Sequence, residues 1–405
     1  MNNLDKIPPY MLPTLLASVP IAFIAVHWAF YKLLQIAKEK NLVDNPEARK
    51  LQKVPVPVVG GIAVYFGVLA GVLAGTAVMM QAGSGPSAML LPLMVTMTLM
   101  LYIGAMDDML NLSPQIRLLF QIVAVLALIY SSGRCVDSFH GLWGIGAFSW
   151  WWGVPLTVLA GVGIINAVNM IDGVNGLSSG MCIICCSLFG VAFVWVGDVA
   201  AAMVAFSMVA AQIPFLLHNV FGIRSRMFIG DAGTMIMGVL QSWFVICMLR
   251  SDGPGAALAQ YGESNMIALS LAVLSVPVFD TLRVMFTRMF QGHSPFNPDR
   301  SHLHHVFVDA GVSHGITTLC EVVINVIIMC IWALAIVCEA NLDMQLYLVV
   351  AASVLLVWGT FFLLRRSKQH PSPFVRWLIR LGDTAHDHHH WWEKLQEWLD
   401  APSKE

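Results

Sequence analysis

Residues 88–110 read AMLLPLMVTMTLMLYIGAMDDML, an apolar run with no charge until the two aspartates near its end. A helix needs about 20 predominantly apolar residues to cross the hydrocarbon core of a bilayer. This stretch therefore predicts a transmembrane helix that brings a pair of carboxylates to one face of the membrane.

The whole chain has the same apolar character. Of its 405 residues, 58% are apolar and 11% are charged, and the mean hydropathy is +0.73. A soluble domain has about 25% charged residues, so this composition excludes a soluble enzyme. It also excludes a disordered chain, which combines high charge with low hydrophobicity. The net charge of −2 gives no indication of nucleic-acid binding, and the eight cysteines are interpreted as packing residues because most lie in or beside apolar runs.

The pattern predicts an all-α, polytopic membrane protein with about eleven spans. Residues 1–364 are predicted to form a single transmembrane bundle, and residues 365–405 a tail of interfacial amphipathic helices. The predicted spans are 11–36, 56–80, 88–106, 116–131, 150–168, 177–196, 199–217, 233–250, 266–287, 316–338 and 344–364. The loops expected to carry function are 37–55, 107–115, 168–176, 218–232 and 288–315.

The distribution of lysine and arginine predicts the orientation. With the N-terminus outside, nineteen basic residues fall on the inner side and only Lys6, Arg134 and Arg250 on the outer side. This asymmetry follows the positive-inside rule. It places the C-terminus and all the polar motifs on the cytoplasmic face.

Asp107 and Asp108 end the third predicted span, at a helix C-terminus whose macrodipole already presents negative charge. Two adjacent carboxylates repel each other and the dipole, and a bound cation or a proton would relieve both repulsions. The alternative is a solvated pair that marks the membrane edge. Because the nearest basic residue, Arg117, lies nine positions on, the sequence favours a role linked to a metal or a phosphate.

Two more polar motifs lie beside spans on the same side. Asn169 and Asp172 have a spacing that places both side chains on one helix face, and Gly173 after them permits a sharp turn or a close approach of the backbone. The alternative is an Asx-rich turn with a glycine cap. Asp231 precedes the eighth span, where an aspartate also serves as a helix N-cap.

The longest inner loop, residues 283–314, is rich in arginine and histidine. Arginine and histidine side chains suit phosphate oxygens, and this loop carries Arg283, Arg288, His293, Arg300, His302, His304, His305 and His314. A zinc site is an alternative, but no cysteine accompanies the histidines and their spacing is a weak match. A solvated basic loop would account for the arginines but not for three histidines within four residues.

Carboxylates and an amide facing arginines and histidines at one membrane face predict a site for a magnesium-bound phosphate, because Mg²⁺ takes one or two carboxylates plus substrate phosphate oxygens. Such a site could move a phosphoryl-linked group from a soluble nucleotide onto a lipid phosphate. The spans would supply a groove for the lipid chain.

The blocks GAMDDML, NAVNMIDGVNGLSSG, FIGDAGTMIMG and SPFNPDRSHLHH, with the loop LVDNPEARKLQKVPVPVVGG, resemble the polyprenyl-phosphate N-acetylhexosamine-1-phosphate transferases, and within them the WecA-type branch. The five blocks occur in the family's order between about residues 42 and 311. The family's other, MraY-type branch uses a muramoyl-pentapeptide nucleotide and differs in the histidine-rich loop.

The resemblance implies that a UDP-N-acetylhexosamine, most simply UDP-GlcNAc, reacts with undecaprenyl phosphate to give a lipid diphosphate sugar and UMP, which starts a cell-envelope glycan such as O antigen. It implies a Mg²⁺ cofactor, with Mn²⁺ as an alternative, in the bacterial inner membrane. The active site would face the cytoplasm, and a homodimer is compatible with it. Another UDP-N-acetylhexosamine or a muramoyl-pentapeptide nucleotide is an alternative substrate.

The resemblance also assigns roles to residues. It implies that Asp231 and Asn169 hold the metal, and that Asp107, Asp108 and Asp172 are catalytic, with Asp107 beside the lipid phosphate. The substrate-binding residues it implies are Asn175, Arg288, Arg300, His302, His304 and His305. Two positions depart from the family's pattern: Asn175 stands where many relatives carry Asp, and Gln52 where WecA-type sequences often carry His.

A secondary transporter is the alternative of another class. Transporters place ionisable groups near the bilayer midplane on broken helices, whereas the acids here are predicted at the inner ends of spans. Asp280 is the exception, since it falls inside the ninth span, and Arg283 three residues later can pair with it on a helix.

Overall fold

A computed structural model describes residues 7–44, 54–85, 87–259, 264–295, 300–367, 372–387 and 390–401. Within this part of the chain, ten helices are long and apolar enough to cross a membrane, and a sharply bent pair makes an eleventh span if counted as one. These helices coincide with the eleven predicted spans, so the prediction of an all-α polytopic bundle is confirmed.

The elements follow in chain order. The first half consists of α1 Met11–Glu39, β1 Val43–Asp44, β2 Val56–Pro57, α2 Gly60–Gln81, α3 Leu90–Leu110, α4 Pro114–Ser132, α5 Trp150–Met170, α6 Leu177–Val196 and α7 Val199–Phe221. The second half consists of α8 Gly230–Met248, α9 Pro254–Ala259, α10 Met266–Val273, α11 Ser275–Phe290, α12 Leu303–Asp309, α13 His314–Val337, α14 Leu342–Ser353, α15 Gly359–Ser367, α16 Pro373–Asp387 and α17 His390–Asp400. The two short strands pair antiparallel, and α14 and α15 form one span through a π-helical turn.

The ninth span is broken. The sequence predicts one helix over 266–287, but α10 and α11 meet at an angle of 81°. The Asn325 side chain of α13 fills the break: its Nδ2 donates to the Val273 carbonyl (3.0 Å), and its Oδ1 accepts from the Val276 N–H (3.1 Å). Backbone groups freed inside a membrane must find such partners, so the bend depends on a side chain about fifty residues away.

Helix α8 forms the centre of the bundle, and almost all of its residues are buried. Small residues let its neighbours approach closely, as is common for membrane helices. A Cβ added to Gly104 of α3 would lie 2.5 Å from the Ala232 Cα, and one added to Gly61 of α2 would lie 2.3 Å from the Gly233 nitrogen. These contacts fix the ends of α2 and α3 against the beginning of α8.

The close contact between α3 and α8 makes a testable prediction. We expect Gly104→Val to destabilise the protein by about 1–3 kcal/mol, the usual cost of overpacking, because the added side chain would collide with the Ala232 backbone. Gly163→Val is the matched control, since Gly163 is also an interior helical glycine but has open space around it. Thermal unfolding in detergent measures both. Equal stability of the two variants would contradict this account of the packing.

Candidate active site

The Asp108 carboxylate binds the N-terminus of α8. Its Oδ1 accepts from the Asp231 N–H (2.8 Å) and its Oδ2 from the Ala232 N–H (3.2 Å). Gly230 has a φ of +70°, and a Cβ on it would lie 2.5 Å from the Asp108 Oδ2. The first amide groups of a helix need acceptors, so Asp108 acts as a capping group supplied by another helix.

Asp107 is buried beside Arg117. Its Oδ1 accepts from the Leu112 N–H (2.8 Å), and its Oδ2 accepts from the Arg117 Nη1 (3.0 Å). Asn111 in the left-handed region ends α3, and Ser113 caps α4, so the chain reverses and returns Arg117 to the carboxylates. The repulsion that the sequence assigned to Asp107 and Asp108 is thus offset by a guanidinium and by the α8 amides.

Asn169, at the end of α5, completes the contact between the three helices. Its Nδ2 donates to the Asp231 Oδ1 (2.7 Å) and to the Thr234 Oγ (2.8 Å). Arg117 Nη1 is 3.0 Å from the Asp107 Oδ2 and 3.8 Å from the Asp231 Oδ2. One guanidinium therefore lies against both carboxyl groups and offsets the repulsion between them.

The turn between α5 and α6 holds Asp172. Its Oδ1 accepts from the Ser178 Oγ (2.6 Å), and its side chain reaches solvent. Although the residue is exposed, the protein around its carboxylate raises the pKa of Asp172 to about 6 by desolvation, and the Ser178 hydrogen bond opposes this shift. Asp172 also interacts electrostatically with Asp108, so the two carboxyl groups belong to the same site.

Neighbouring helices hold the Asp172 turn in place. The Gly176 N–H donates to the Asn219 Oδ1 of α7 (2.7 Å), and the Thr318 Oγ of α13 donates to the Asn175 carbonyl (2.9 Å). Asn175, predicted to bind substrate, is therefore fixed through its backbone. Its side chain is partly exposed.

The histidine-rich segment approaches the same turn. His304 is 1% exposed, and a Cβ added to Gly173 would lie 2.2 Å from its Nε2. Desolvation, together with the neighbouring His305 and His302, lowers the pKa of His304 well below its usual value. Desolvation likewise lowers the pKa of His305 to about 4. Both shifts favour the neutral rings, which could bind a phosphate by hydrogen bonding.

His302 has a different environment. Its Nδ1 lies 2.8 Å from the Asp280 Oδ2, and Asp280 Oδ1 accepts from the Arg283 Nη2 (2.6 Å). Asp280 also accepts from the Leu303 N–H at the start of α12 (3.2 Å), and Arg283 donates to the Ser301 carbonyl (2.6 Å). The pairing of Asp280 with Arg283 foreseen from the sequence is present, and it anchors the segment that carries His304.

The two loop arginines lie elsewhere in that segment. Arg288 is buried, and its Nη1 donates to the Pro295 carbonyl (2.6 Å). Arg300 is exposed and forms an ion pair with Asp309 (3.2 Å). The predicted loop residue Gln52 lies outside the described residues.

Within the described residues, no three histidine, cysteine or acidic side chains have the arrangement of a preformed metal cluster. The donor set nevertheless fits a hard cation that is completed by substrate oxygens. Asp231 presents a carboxyl group, Asn169 adds an amide, and Arg117 joins Asp231 to a second carboxyl group, that of Asp107. Mg²⁺ is typically held by one or two carboxylates plus phosphate.

The bundle and this cluster define a polytopic membrane protein with a polar site at one end of its helices. The model of glycosyl transferase family 4 matches residues 90–249, which include Asp107, Asn169, Asp172 and Asp231. The chain is 30% identical over 286 residues to the Yersinia pestis undecaprenyl-phosphate alpha-N-acetylglucosaminyl 1-phosphate transferase, a match that covers 68% of this chain and 72% of the relative.

Similar matches occur in other bacteria. The Escherichia coli K12 protein of the same name is 29% identical over 291 residues, with 68% of this chain and 72% of the relative covered. A probable undecaprenyl-phosphate N-acetylglucosaminyl 1-phosphate transferase of Bacillus subtilis is 30% identical over 286 residues, with 70% and 75% covered. The chain therefore belongs to the polyprenyl-phosphate N-acetylhexosamine-1-phosphate transferase family, which confirms the resemblance seen in its motifs.

The hydrogen bond between Ser178 and Asp172 makes a prediction about pH. Because the pKa of Asp172 is raised to about 6, its carboxylate is lost as the pH falls through 6, and we expect activity to fall over the same range. Ser178→Ala removes the bond that favours the charged form, so the acidic limb of the pH–rate profile should move to higher pH. Ser179→Ala is the neighbouring control, and an identical shift in that variant would contradict the assignment.

The contact between Gly173 and His304 makes a second prediction. Gly173→Ala would place a methyl group in the His304 ring, so we expect transferase activity to fall by about 10-fold or more, since small displacements in a site are costly. Gly180→Ala is the control, because a Cβ there meets only side chains at 3.7 Å or more. In a His304→Ala background the Gly173→Ala change should add little. If the effects of the two substitutions on activity were fully additive, the loss in Gly173→Ala would not come from contact with the His304 ring.

Proposed function

We propose that this protein transfers N-acetylglucosamine 1-phosphate from UDP-GlcNAc to undecaprenyl phosphate and releases UMP. The observation that carries the proposal is the convergence of Asp107, Asn169 and Asp231 from three helices at one end of a membrane bundle. The names of the relatives supply the sugar and the lipid. We also propose that the lipid diphosphate sugar starts the synthesis of a cell-envelope glycan such as O antigen.

The reaction needs one bond made and one broken. An oxygen of the lipid phosphate attacks the phosphorus that bears the sugar, and the bond from that phosphorus to the UMP oxygen breaks. The lipid phosphate is largely ionised at neutral pH, since the second pKa of a phosphate monoester is about 6. Asp107 is therefore proposed to orient the attacking phosphate rather than to remove a proton.

The charges of the site suit this reaction. Mg²⁺, or Mn²⁺ in its place, would be held by Asp231 and Asn169 and would neutralise the negative charge of the diphosphate. Arg117 keeps Asp107 and Asp231 together, and Asp108 fixes the α8 terminus on which Asp231 lies. We place the nucleotide and the sugar beside Asp172, on the turn that packs against His304 through Gly173.

We further propose that this end of the bundle faces the cytoplasm of a bacterium, in its inner membrane. The site end carries Lys38, Arg117, Arg224, Arg226, Arg288 and Arg300, whereas Arg134 and Arg250 lie with Asp252 in connections after α4 and α8, at the other helix ends. This distribution follows the positive-inside rule. It also brings the site to the compartment that supplies a soluble nucleotide sugar.

One observation favours the alternative of a transporter: α10 and α11 form a broken membrane helix, and transporters bind their substrates at such helices. However, Asn325 fills the break, and Asp280 beyond it is bonded to Arg283 and His302. We therefore favour the transferase. Ion or solute flux in proteoliposomes without UMP formation would favour the transporter.

The test is release of UMP by the purified protein with undecaprenyl phosphate and a panel of UDP-sugars. We expect UDP-GlcNAc to be preferred and chelation of divalent cations to stop the reaction. Asp231→Asn should lower turnover by about 10²-fold or more, the scale expected for a group that stabilises charge in the transition state. Asp252→Asn, at the opposite end of the bundle, should keep its activity. Wild-type turnover in Asp231→Asn would overturn the metal assignment.

A further inference from the structure

The C-terminal helix α17 docks on the site end of the bundle. The Tyr31 hydroxyl of α1 donates to the Leu399 carbonyl (3.2 Å), and the His27 ring stacks on Trp398 with centroids 6.4 Å apart. Trp392 meets Phe221, the last residue of α7, at 4.7 Å. Leu399 is 1% exposed. The helix is thus held at both of its ends and does not project from the protein.

Asp400, the last residue of α17, binds three successive backbone amides. Its carboxylate accepts from the N–H groups of Ile223 (3.1 Å), Arg224 (3.1 Å) and Ser225 (2.9 Å), and from the Ser225 Oγ (2.8 Å). Successive N–H groups that converge on one anion form a nest. Hydrogen bonds to a charged acceptor are roughly twice as strong as neutral ones.

The nest belongs to the connection between α7 and α8, which leads to Asp231. Ser225 Oγ also contacts the His218 Nδ1 of α7 (3.0 Å). Further along, Asn219 donates from its Nδ2 to the Met227 carbonyl (2.8 Å) and accepts from the Gly176 N–H of the Asp172 turn. One side chain therefore joins the docked connection to the turn that carries Asp172.

The far end of the connection is fixed against the beginning of α2. The Phe228 N–H donates to the Pro57 carbonyl (2.8 Å), and the Gly61 N–H donates to the Ile229 carbonyl (2.9 Å). Asp231 follows two residues later. Residues 222–229 are thus held by the tail at one end and by α2 at the other. Going along the chain, the contact with the tail comes first, and Asp231 follows the contact with α2.

The other tail helix contacts the second site segment. Val375 and Leu378 of α16 are buried in the same apolar cluster as Val312. A Cβ added to Gly382 would lie 2.8 Å from the Ser313 Oγ, just before α13. The tail therefore touches both the connection that leads to Asp231 and the segment that follows His304.

We propose that Asp400 is a positioning residue for the active site: docking of α17 into the amide nest of residues 223–225 holds the connection that sets Asp231 and the Asp172 turn. The catalytic part of this inference rests on the proposed transferase function. The docking itself does not, and it can be measured separately.

The experiment compares Asp400→Ala, Ser225→Ala and the double variant with a matched control, Glu397→Ala, which removes an exposed acid from the same helix. Hydrogen–deuterium exchange on the full-length protein reports the amides of residues 223–225. We expect these amides to exchange about tenfold faster in Asp400→Ala, as loss of charge-assisted hydrogen bonds predicts. Ser225→Ala should show a smaller increase, and the double variant less than the sum of the two.

Turnover of the same variants separates positioning from docking. We expect Asp400→Ala to lower kcat several-fold with little change in KM for the UDP-sugar, and Glu397→Ala to match the wild type. Unchanged exchange in both Asp400→Ala and Ser225→Ala, or faster exchange with an unchanged kcat, would overturn the inference. If Asp400→Ala speeds exchange but even the wild type releases no UMP, the docking is supported and the proposed function fails.

Discussion

The polar N-terminus of α8 lies at the site end of the bundle, and the Asp108 carboxylate accepts from two of its amides. Unpaired amides are costly away from water, and for the buried helix α8 a neighbouring helix, α3, supplies this acceptor. That acceptor lies next to Asp107 in the chain, and the first turn of the helix it caps contains Asp231. A single structural requirement thereby brings two carboxyl groups of the site together.

Small residues allow α2, α3 and α8 to pack closely enough for these contacts to form. Gly104 lets α3 approach the α8 backbone, and Gly61 does the same for α2. Further along α8, Gly238 packs on Ile165 of α5, which carries Asn169 one turn later. The same close packing that stabilises helices in a membrane therefore sets the distances between site residues, and substitutions far from any substrate should alter both properties.

The sequence predicted those features that depend on residues close together in the chain. Apolar runs located the spans, and charge asymmetry placed Asp107, Asp172 and Asp231 on one side of the membrane. The sequence did not predict the contact of Arg117 with the carboxylates, because the two are nine residues apart. The chain reverses at Asn111 and Ser113, and this reversal brings Arg117 back to them. The serine that caps a helix beginning with proline was the available signal for that turn.

Other features depend on partners that are distant in the chain. The break in the ninth span is stabilised by Asn325 from another helix, and the docking of the tail depends on backbone amides of residues 223–225. Neither partner has a recognisable spacing in the sequence. The Nδ1 of His302 is bonded to Asp280, which the sequence had paired only with Arg283, and the role of His302 in substrate binding stays a prediction.

We propose that Asp231 of α8 and Asn169 of α5 hold a divalent cation with the help of substrate phosphate, beside Asp107 of α3. Anomalous diffraction from crystals grown with Mn²⁺ and a UDP-sugar would locate that cation. We expect a manganese peak at about 2.1 Å from a carboxylate oxygen of Asp231, a coordination distance for an ion of this kind. A manganese peak bound to the nucleotide but remote from Asp107, Asn169 and Asp231 would contradict it.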